Sequence, residues 1–159
     1  MKKLDDFLFS LLCHACGILM FGMMSIIFVQ VVARYAFHHS LSWSEEIGRY
    51  IFVWISFLGM VAAFKHGSHV SLDLLLHVLK GCSRKVLLRI NGLLILVMSS
   101  AIFWSGIKLY QLGTRQMSPA LKLPMHLVYL VVPVSGLLLV YFAARALWLN
   151  FHADTEKEE

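Results

Sequence analysis

Four long apolar segments restrict this chain to an integral membrane protein. They cover residues 7–33, 43–64, 86–112 and 125–149, and each reaches the roughly 20 residues that a transmembrane helix needs. Charged residues make up 14% of the chain, against about 25% in a soluble domain. The sequence therefore predicts an all-α integral membrane protein. Residues 1–150 are expected to form a single domain with four transmembrane helices, and residues 151–159 a disordered cytoplasmic tail.

The first segment is predicted to stay attached as a span. It continues to Ala33, beyond the roughly 7–15 apolar residues of a signal peptide, and no A-x-A cleavage site follows it. Cys13 and Cys16 form a C-x-x-C inside it. Apolar surroundings keep thiols protonated, so we expect packing residues and not a redox pair. His14 is more typical of a hydrogen-bonded packing residue than of a ligand.

A polar cluster opens the second segment. The stretch S-W-S-E that begins at Ser42 has the spacing of a capping box, and Trp43 is typical of an anchor at the level of the headgroups. Glu45, Glu46 and Arg49 lie in the first two turns. Glu45 and Arg49 are spaced for an ion pair, but Arg49 also lies deep enough to require a protein partner. Both interpretations stay open, and they are compatible.

Four other residues are candidates for shaping the helices or for contacts with a partner. Gly59 and Ala63 form a small-x-x-x-small face, which lets another helix approach closely. Arg34 closes the first segment, where its side chain can extend to the headgroups. Pro133 lies about two turns into the fourth segment and predicts a kink there.

Two connecting segments have distinct patterns. Residues 70–79 carry leucines at i, i+3, i+4 and i+7, with Asp73 on the opposite face. This pattern is too short to span and predicts an interfacial amphipathic helix, with a cytoplasmic loop packed on the bundle as the alternative. Residues 113–124 contain Pro119 and Pro124, which exclude a helix and predict an extended, ordered loop.

The basic residues predict the orientation. More of them lie on the side of the termini than on the side of the proline-containing connector. The first set is Lys2, Lys3, Lys65, Lys80, Arg84, Lys85, Arg89 and Arg145, and the second is Arg34, Arg49, Lys108, Arg115 and Lys122. Because cytoplasmic loops are enriched in Lys and Arg, both termini and the interfacial helix are predicted to be cytoplasmic.

The chain lacks the residues that most membrane functions need. No acidic residue lies near the middle of a predicted span, whereas coupled carriers bind ions and substrates at that depth. His14 and His126 lie about 20 Å apart along the bilayer normal, too far to share a haem. No nucleophile-base pattern, phosphate loop or H-E-x-x-H occurs. We therefore expect no enzymatic activity, cofactor or metal, and no nucleic-acid partner.

Two stretches together resemble the small membrane subunit, of the DctQ type, of tripartite ATP-independent periplasmic (TRAP) transporters. The resemblance covers residues 30–76 and 118–143. In the first stretch the matching positions are Arg34, Trp43, Glu45, Glu46, Phe52-Val53-Trp54, Phe57-Leu58-Gly59, His69, Val70 and Asp73. In the second they are the run SPALKLP from Ser118, with Pro119 and Pro124, followed by Tyr129 and Pro133.

This resemblance implies a transporter of three parts in the bacterial inner membrane. A periplasmic substrate-binding protein captures an organic acid, a large multi-span permease subunit moves it with sodium, and a small subunit among the membrane lipids braces the large one. The turn at Trp43 and the loop at Pro119 would face the docked binding protein. The alternative is a self-contained four-helix carrier, or a membrane sensor or anchor subunit.

Overall fold

The computed structural model describes residues 2–36, 41–67 and 82–155. Its helices are α1 (Lys2–Ala36), α2 (Ser42–Gly67), α3 (Cys82–Gly113), α4 (His126–Tyr129) and α5 (Val131–Thr155). Within these described ranges, four stretches are long and apolar enough to cross a membrane: Asp5–Ala36, Ser42–Lys65, Ile90–Gly113 and His126–Trp148. The predicted all-α membrane fold is confirmed. The interfacial helix predicted at 70–79 lies outside the described residues.

The helices extend further than the apolar segments that predicted them. α1 begins at Lys2, and α3 begins at Cys82. α5 continues to Thr155, so residues 151–155 of the predicted disordered tail are helical. Adding a residue to an existing helix costs far less than nucleating one, which explains why the helices continue into their polar flanks.

The fourth span is interrupted where Pro133 predicts a kink. α4 ends at Tyr129 and α5 begins at Val131. Proline has no backbone N–H, so the carbonyl of Tyr129, four residues earlier, loses its helical donor. One i to i−4 hydrogen bond still crosses this point, since the N–H of Val134 donates to the carbonyl of Leu130 at 3.3 Å.

The spans contact one another in the order α1, α2, α5, α3. α1 packs along α2, α2 packs on α5, and α3 packs along α5. The core lies among α1, α2 and α5, and its buried residues are Leu12, Leu58, Val61, Val131, Leu139 and Phe142. This order leaves α1 and α3 at two edges, where large apolar side chains such as Phe21 and Trp104 are exposed.

Glycines bring α3 and α5 into close contact. A Cβ added at Gly106 would lie 2.7 Å from the backbone nitrogen of Pro133, and one at Gly136 would lie 2.8 Å from the backbone of Phe103. Both distances are shorter than any real contact and involve backbone atoms, which cannot move aside. On α3, small residues recur every seven positions, at Gly92, Ser99, Gly106 and Gly113. This spacing keeps these residues on one face of α3, where Gly92 and Gly106 pack on α5 and Gly113 packs on His126 and Tyr129 of α4.

A charged cluster ties three helices together at the end of the bundle that holds the N-terminus, called here the terminal end. Arg145 of α5 forms an ion pair with Asp5 of α1. The hydroxyl of Tyr141 donates to Asp5 at 3.0 Å. Lys65 of α2 donates to the Asp5 carbonyl and lies 3.4 Å from the carboxylate of Asp6. The Asp5 and Arg145 side chains are only 15% and 16% exposed, so this cluster fixes α1 against α2 and α5.

Candidate functional site

The connector between α3 and α4 folds into a small hairpin at the opposite end of the bundle, the connector end. We call residues 116–125 the connector hairpin. Met117 and Pro124 form an antiparallel bridge, and the N–H of Met125 donates to the Gln116 carbonyl at 3.0 Å. The N–H of Ser118 donates to the carbonyl of Leu123 at 2.9 Å. Proline donates no hydrogen bond, and Pro124 takes the bridge position without needing one.

The tip of the hairpin is closed by a left-handed residue. Lys122 has a φ of 52°, and its N–H donates to the Ser118 carbonyl at 3.1 Å. Residues with a positive φ reverse the chain tightly, at some cost for a side chain larger than glycine. The reversal leaves the N–H groups of Ala120 and Leu121 pointing toward α2.

Glu46 of α2 binds those two N–H groups. Its Oε2 accepts from the N–H of Ala120 at 3.1 Å and from that of Leu121 at 2.9 Å. Its Oε1 accepts from the hydroxyl of Tyr50 at 2.8 Å. The residue is 6% exposed, and hydrogen bonds to a carboxylate are stronger than those between neutral groups. We call this arrangement the Glu46 clamp.

The clamp joins two stretches that the sequence singled out separately. Glu46 belongs to the W-x-E-E turn, and Ala120 and Leu121 belong to the SPALKLP run. The two stretches are 74 and 75 residues apart along the chain. The hydroxyl of Tyr50 also lies 3.4 Å from the sulfur of Met125, at the base of the hairpin. The start of α2 therefore fixes the connector hairpin at its tip and at its base.

The neighbouring acid, Glu45, makes different contacts. Its Oε1 lies 3.3 Å from Nη2 of Arg34 and accepts from Nε2 of Gln30 at 3.1 Å, both on α1. The predicted ion pair between Glu45 and Arg49 is wrong, because Arg34 reaches the carboxylate from the adjacent helix. The hydroxyl of Ser44 donates to the carbonyl of Leu41 at 2.7 Å, and the capping box at Ser42 stays a prediction.

Arg49 lies on an exposed face of α2. In the part of the chain that the structure describes, no hydrogen bond or ion pair involves its guanidinium. Phe52, Ser56 and Ala63 are exposed along the same face, at helical spacings of three, four and seven residues. A Cβ added at Gly59 would meet nothing within 4 Å. We call these five residues the α2 outer face.

The remaining predicted positions are dispersed. Trp43 is 43% exposed at the start of α2, and Pro119 is exposed at the hairpin tip. Pro133 contacts Gly106 in the α3–α5 seam. His69 and Asp73 lie outside the described residues.

Sequence reasoning missed the residues that complete the clamp and the terminal cluster. Tyr50 and Gln30 bind the two acids of α2, and Asp5 binds Arg145 and Tyr141 across more than one hundred residues of chain. Such long-range contacts leave no local pattern. In the sequence, the number of bases near the termini indicates orientation and does not predict these contacts.

The described residues contain no group of three or more His, Cys, Asp or Glu side chains placed to hold a metal ion. The carboxylates of Glu45 and Glu46 bind side chains and backbone of this chain itself, so these two acids fix α1 and the connector hairpin to the start of α2.

Comparison with known proteins identifies the family. Residues 23–153 match the family described as the DctQ component of tripartite ATP-independent periplasmic transporters. The chain belongs to this family. Members are transporter permease subunits and not enzymes. The identification agrees with the resemblance seen in the W-x-E-E and SPALKLP stretches, and the protein is a TRAP transporter small permease subunit in the membrane.

The relatives of this small permease subunit include a separate small permease protein and longer permease proteins of which it matches about a fifth. A TRAP transporter small permease protein of Haemophilus influenzae is 32% identical over 138 residues, covering 87% of this chain and 86% of that protein. The isethionate TRAP transporter permease protein DctMQ of Oleidesulfovibrio alaskensis is 35% identical, covering 75% of this chain and 21% of that protein. The sialic acid TRAP transporter permease protein SiaT of Haemophilus influenzae is 25% identical, covering 85% and 22%.

Proposed function

We propose that this subunit is a static brace for the large permease subunit of a bacterial TRAP transporter that takes up an organic acid with sodium. In this role the chain carries no transport site. It widens the scaffold in the membrane against which the moving part of the large subunit works. Sodium coupling and the organic acid come to this chain from the family resemblance, and the substrate would be selected by other subunits.

The observation that carries the proposal is the α2 outer face. Arg49 lies about 9 Å along the helix axis from Trp43, on a helix that crosses the membrane. A charged side chain at that depth normally faces protein or a water-filled cavity, because lipid cannot satisfy it. Glu45, the acid one turn away, is already engaged by Arg34 and Gln30. We infer that an acceptor on another polypeptide pairs with Arg49.

The small residues below Arg49 fit the same partner. Ser56, Gly59 and Ala63 are small side chains on the α2 outer face, and no atom of the described residues would lie within 4 Å of a Cβ added at Gly59. Association of helices in lipid depends on close backbone approach, which small residues permit. A helix of the large subunit that lies along this face would meet Arg49 at one end and backbone at the other.

The distribution of acids supports a role without transport chemistry. Within the described spans, acidic residues lie only near helix ends: Asp5 and Asp6 near the start of α1, and Glu45 and Glu46 at the start of α2. Asp5 and Glu46 are held by neighbouring groups of this chain. The middle of the bundle therefore offers no carboxylate that binds a coupling ion.

Two relatives support a large partner held beside this chain. DctMQ and SiaT are permease proteins in which the region similar to this chain is about a fifth of the length. A single polypeptide that contains both parts keeps them together in the membrane. We infer that the separate chain described here assembles with a separate large permease. Their names give isethionate and sialic acid as substrates, and both are organic acids.

We further propose that the subunit lies in the inner membrane with both termini in the cytoplasm. The terminal end and the connector 68–81 carry most of the Lys and Arg residues, as expected for the cytoplasmic side. The connector hairpin then faces the periplasm. Residues 1–150 would act as one membrane domain. A reporter fused to the C-terminus that is active only in the cytoplasm tests this orientation.

The test of the brace is copurification with the large permease encoded with this chain. We expect Arg49→Leu and Gly59→Leu to reduce recovery of the large subunit at least fivefold. The matched controls are Lys108→Leu, an exposed base on α3, and Gly17→Leu, an α1 glycine that also has nothing within 4 Å. Both controls should copurify at the wild-type level.

The alternative function predicts a different outcome. A self-contained carrier or sensor would be recovered as a homo-oligomer without a large permease, and would act in vesicles that contain this chain alone. Recovery of that kind, with all four variants behaving as the wild type, would overturn the proposal.

A further inference from the structure

Charge at the connector end is strongly unbalanced on the exposed surface. Two acids lie at this end, Glu45 and Glu46, against five bases. The bases are Arg34, Arg49, Lys108, Arg115 and Lys122. The Glu46 clamp buries one acid beneath the hairpin, and the other acid binds Arg34. The surface left to a partner at this end is therefore cationic.

Two of these bases belong to the connector and its hairpin. Arg115 precedes the hairpin and Lys122 forms its tip, and both side chains are exposed. Two apolar residues lie beside them along the hairpin: Met117, which is 69% exposed, and Leu123, which is 42% exposed. Apolar residues flanked by arginine and lysine resemble the composition of protein interfaces, where Met and Arg are enriched.

The hairpin is held in one conformation before any partner binds. The Glu46 clamp fixes the tip, and three backbone hydrogen bonds of 2.9–3.1 Å join its two arms and close its tip. A loop that is already ordered loses little conformational entropy on binding. A loop needed only to join α3 to α4 would not require a buried carboxylate to set its tip.

We propose that the connector hairpin docks the soluble substrate-binding component of the same transporter, through an acidic surface on that component that meets Arg115 and Lys122. The inference rests on the proposed function and extends it to a second partner. The family is described as tripartite and periplasmic, so a soluble third part has to meet the membrane part. The cationic, ordered hairpin fits an acidic protein surface, with Met117 and Leu123 at its centre.

Docking through such charges has a recognisable signature. Complementary charges at the rim of an interface raise the association rate and make it sensitive to salt. Reversing the two charges should slow association and remove most of its salt dependence, since screening acts on the attraction. An apolar or lipid-mediated contact would not show this pattern.

The experiment uses the complete membrane complex in nanodiscs of neutral lipid and measures binding of its soluble component by surface plasmon resonance at 50 and 300 mM salt. We expect the double variant Arg115→Glu/Lys122→Glu to weaken binding at least tenfold at low salt and to flatten the salt dependence. The matched control is Lys108→Glu on α3, which reverses an exposed base outside the hairpin and should stay within twofold of wild type.

The outcomes separate the two proposals. If the double variant still copurifies with the large permease but binds the soluble component as wild type does, the docking inference is wrong and the brace stands. The same holds if the charge reversal changes only the response to nanodiscs of anionic lipid, since the hairpin would then contact headgroups. If no large permease copurifies with the wild-type chain, the proposed function itself fails.

Discussion

Removing the carboxylate of Glu46 should open the connector hairpin without unfolding the bundle. Glu46→Ala removes the carboxylate that accepts from the N–H groups of Ala120 and Leu121. The Leu121 N–H then keeps only the hydroxyl of Ser118, at 3.3 Å. Ala120 is exposed, so water can replace the acceptor there, whereas Leu121 is half-buried. A hydrogen bond to a charged group contributes about 1.5–3 kcal/mol, more than one to a neutral hydroxyl. Counting Leu121 alone, the open fraction of the hairpin should rise by about 10- to 100-fold.

Limited proteolysis measures this opening directly. Lys122 lies at the exposed tip, and trypsin cleaves after it only when the hairpin leaves its closed geometry. When opening and closing are fast relative to cleavage, the cleavage rate follows the open population. We expect the rate after Lys122 to rise by about 10- to 100-fold in Glu46→Ala, with the helical circular dichroism unchanged. Glu46→Gln keeps one carbonyl acceptor, so its cleavage rate after Lys122 should lie between those of the wild type and Glu46→Ala.

Glu45 supplies the matched control. It carries the same charge at the adjacent position, but its side chain is 46% exposed, and among the described residues its polar partners are Arg34 and Gln30 of α1. Glu45→Ala should leave cleavage after Lys122 at the wild-type rate. Equal cleavage rates in wild type and Glu46→Ala would refute the clamp, and so would a similar increase in both alanine variants.

Two further predictions concern the bundle. Gly106→Leu should destabilise the bundle by about 1–3 kcal/mol, since a Cβ at this position meets the backbone of Pro133 at 2.7 Å. Gly59→Leu, with nothing within 4 Å, should unfold in detergent as wild type does. Equal melting temperatures for the wild type and both variants would contradict the α3–α5 seam. Asp5→Asn should lower the free energy of unfolding by about 3 kcal/mol, because it leaves the largely buried Arg145 without its counter-charge. Asp6→Asn, which changes a side chain that is 79% exposed, should lower it by less than about 1 kcal/mol. Similar losses in the two variants, measured by chemical unfolding in micelles, would refute the terminal cluster.

The spans could be predicted from the sequence because hydropathy acts locally. Four runs of apolar residues are long enough to cross a bilayer, and backbone groups in lipid must be paired within a helix. The interruption near Pro133 follows from the missing N–H of one residue. The exact ends could not be predicted, since α5 continues to Thr155 through polar residues.

The packing order of the helices was not predicted from the sequence. Gly92, Ser99, Gly106 and Gly113 recur every seven residues on α3, and in the structure Gly92 and Gly106 pack on α5 while Gly113 packs on α4. Which helix fills that face depends on the folded chain, because other spans also carry apolar side chains of suitable size.

The contacts of the two acids show why a local rule fails. The spacing of Glu45 and Arg49 satisfies the helix rule for an ion pair, yet Arg34 comes from another helix and takes the carboxylate. Glu46 binds backbone N–H groups that any residue could supply. Both motif stretches were visible in the sequence, but the bond between them appears only in three dimensions.

The most direct test of the brace places a photo-crosslinking amino acid at Ser56, in the middle of the α2 outer face, in cells that also produce the large permease. The account predicts a crosslinked product containing this chain and the large permease, and none from the same probe at Gly17 on α1. A product containing two copies of this chain, or no protein product at Ser56 while the complex is intact, would contradict it.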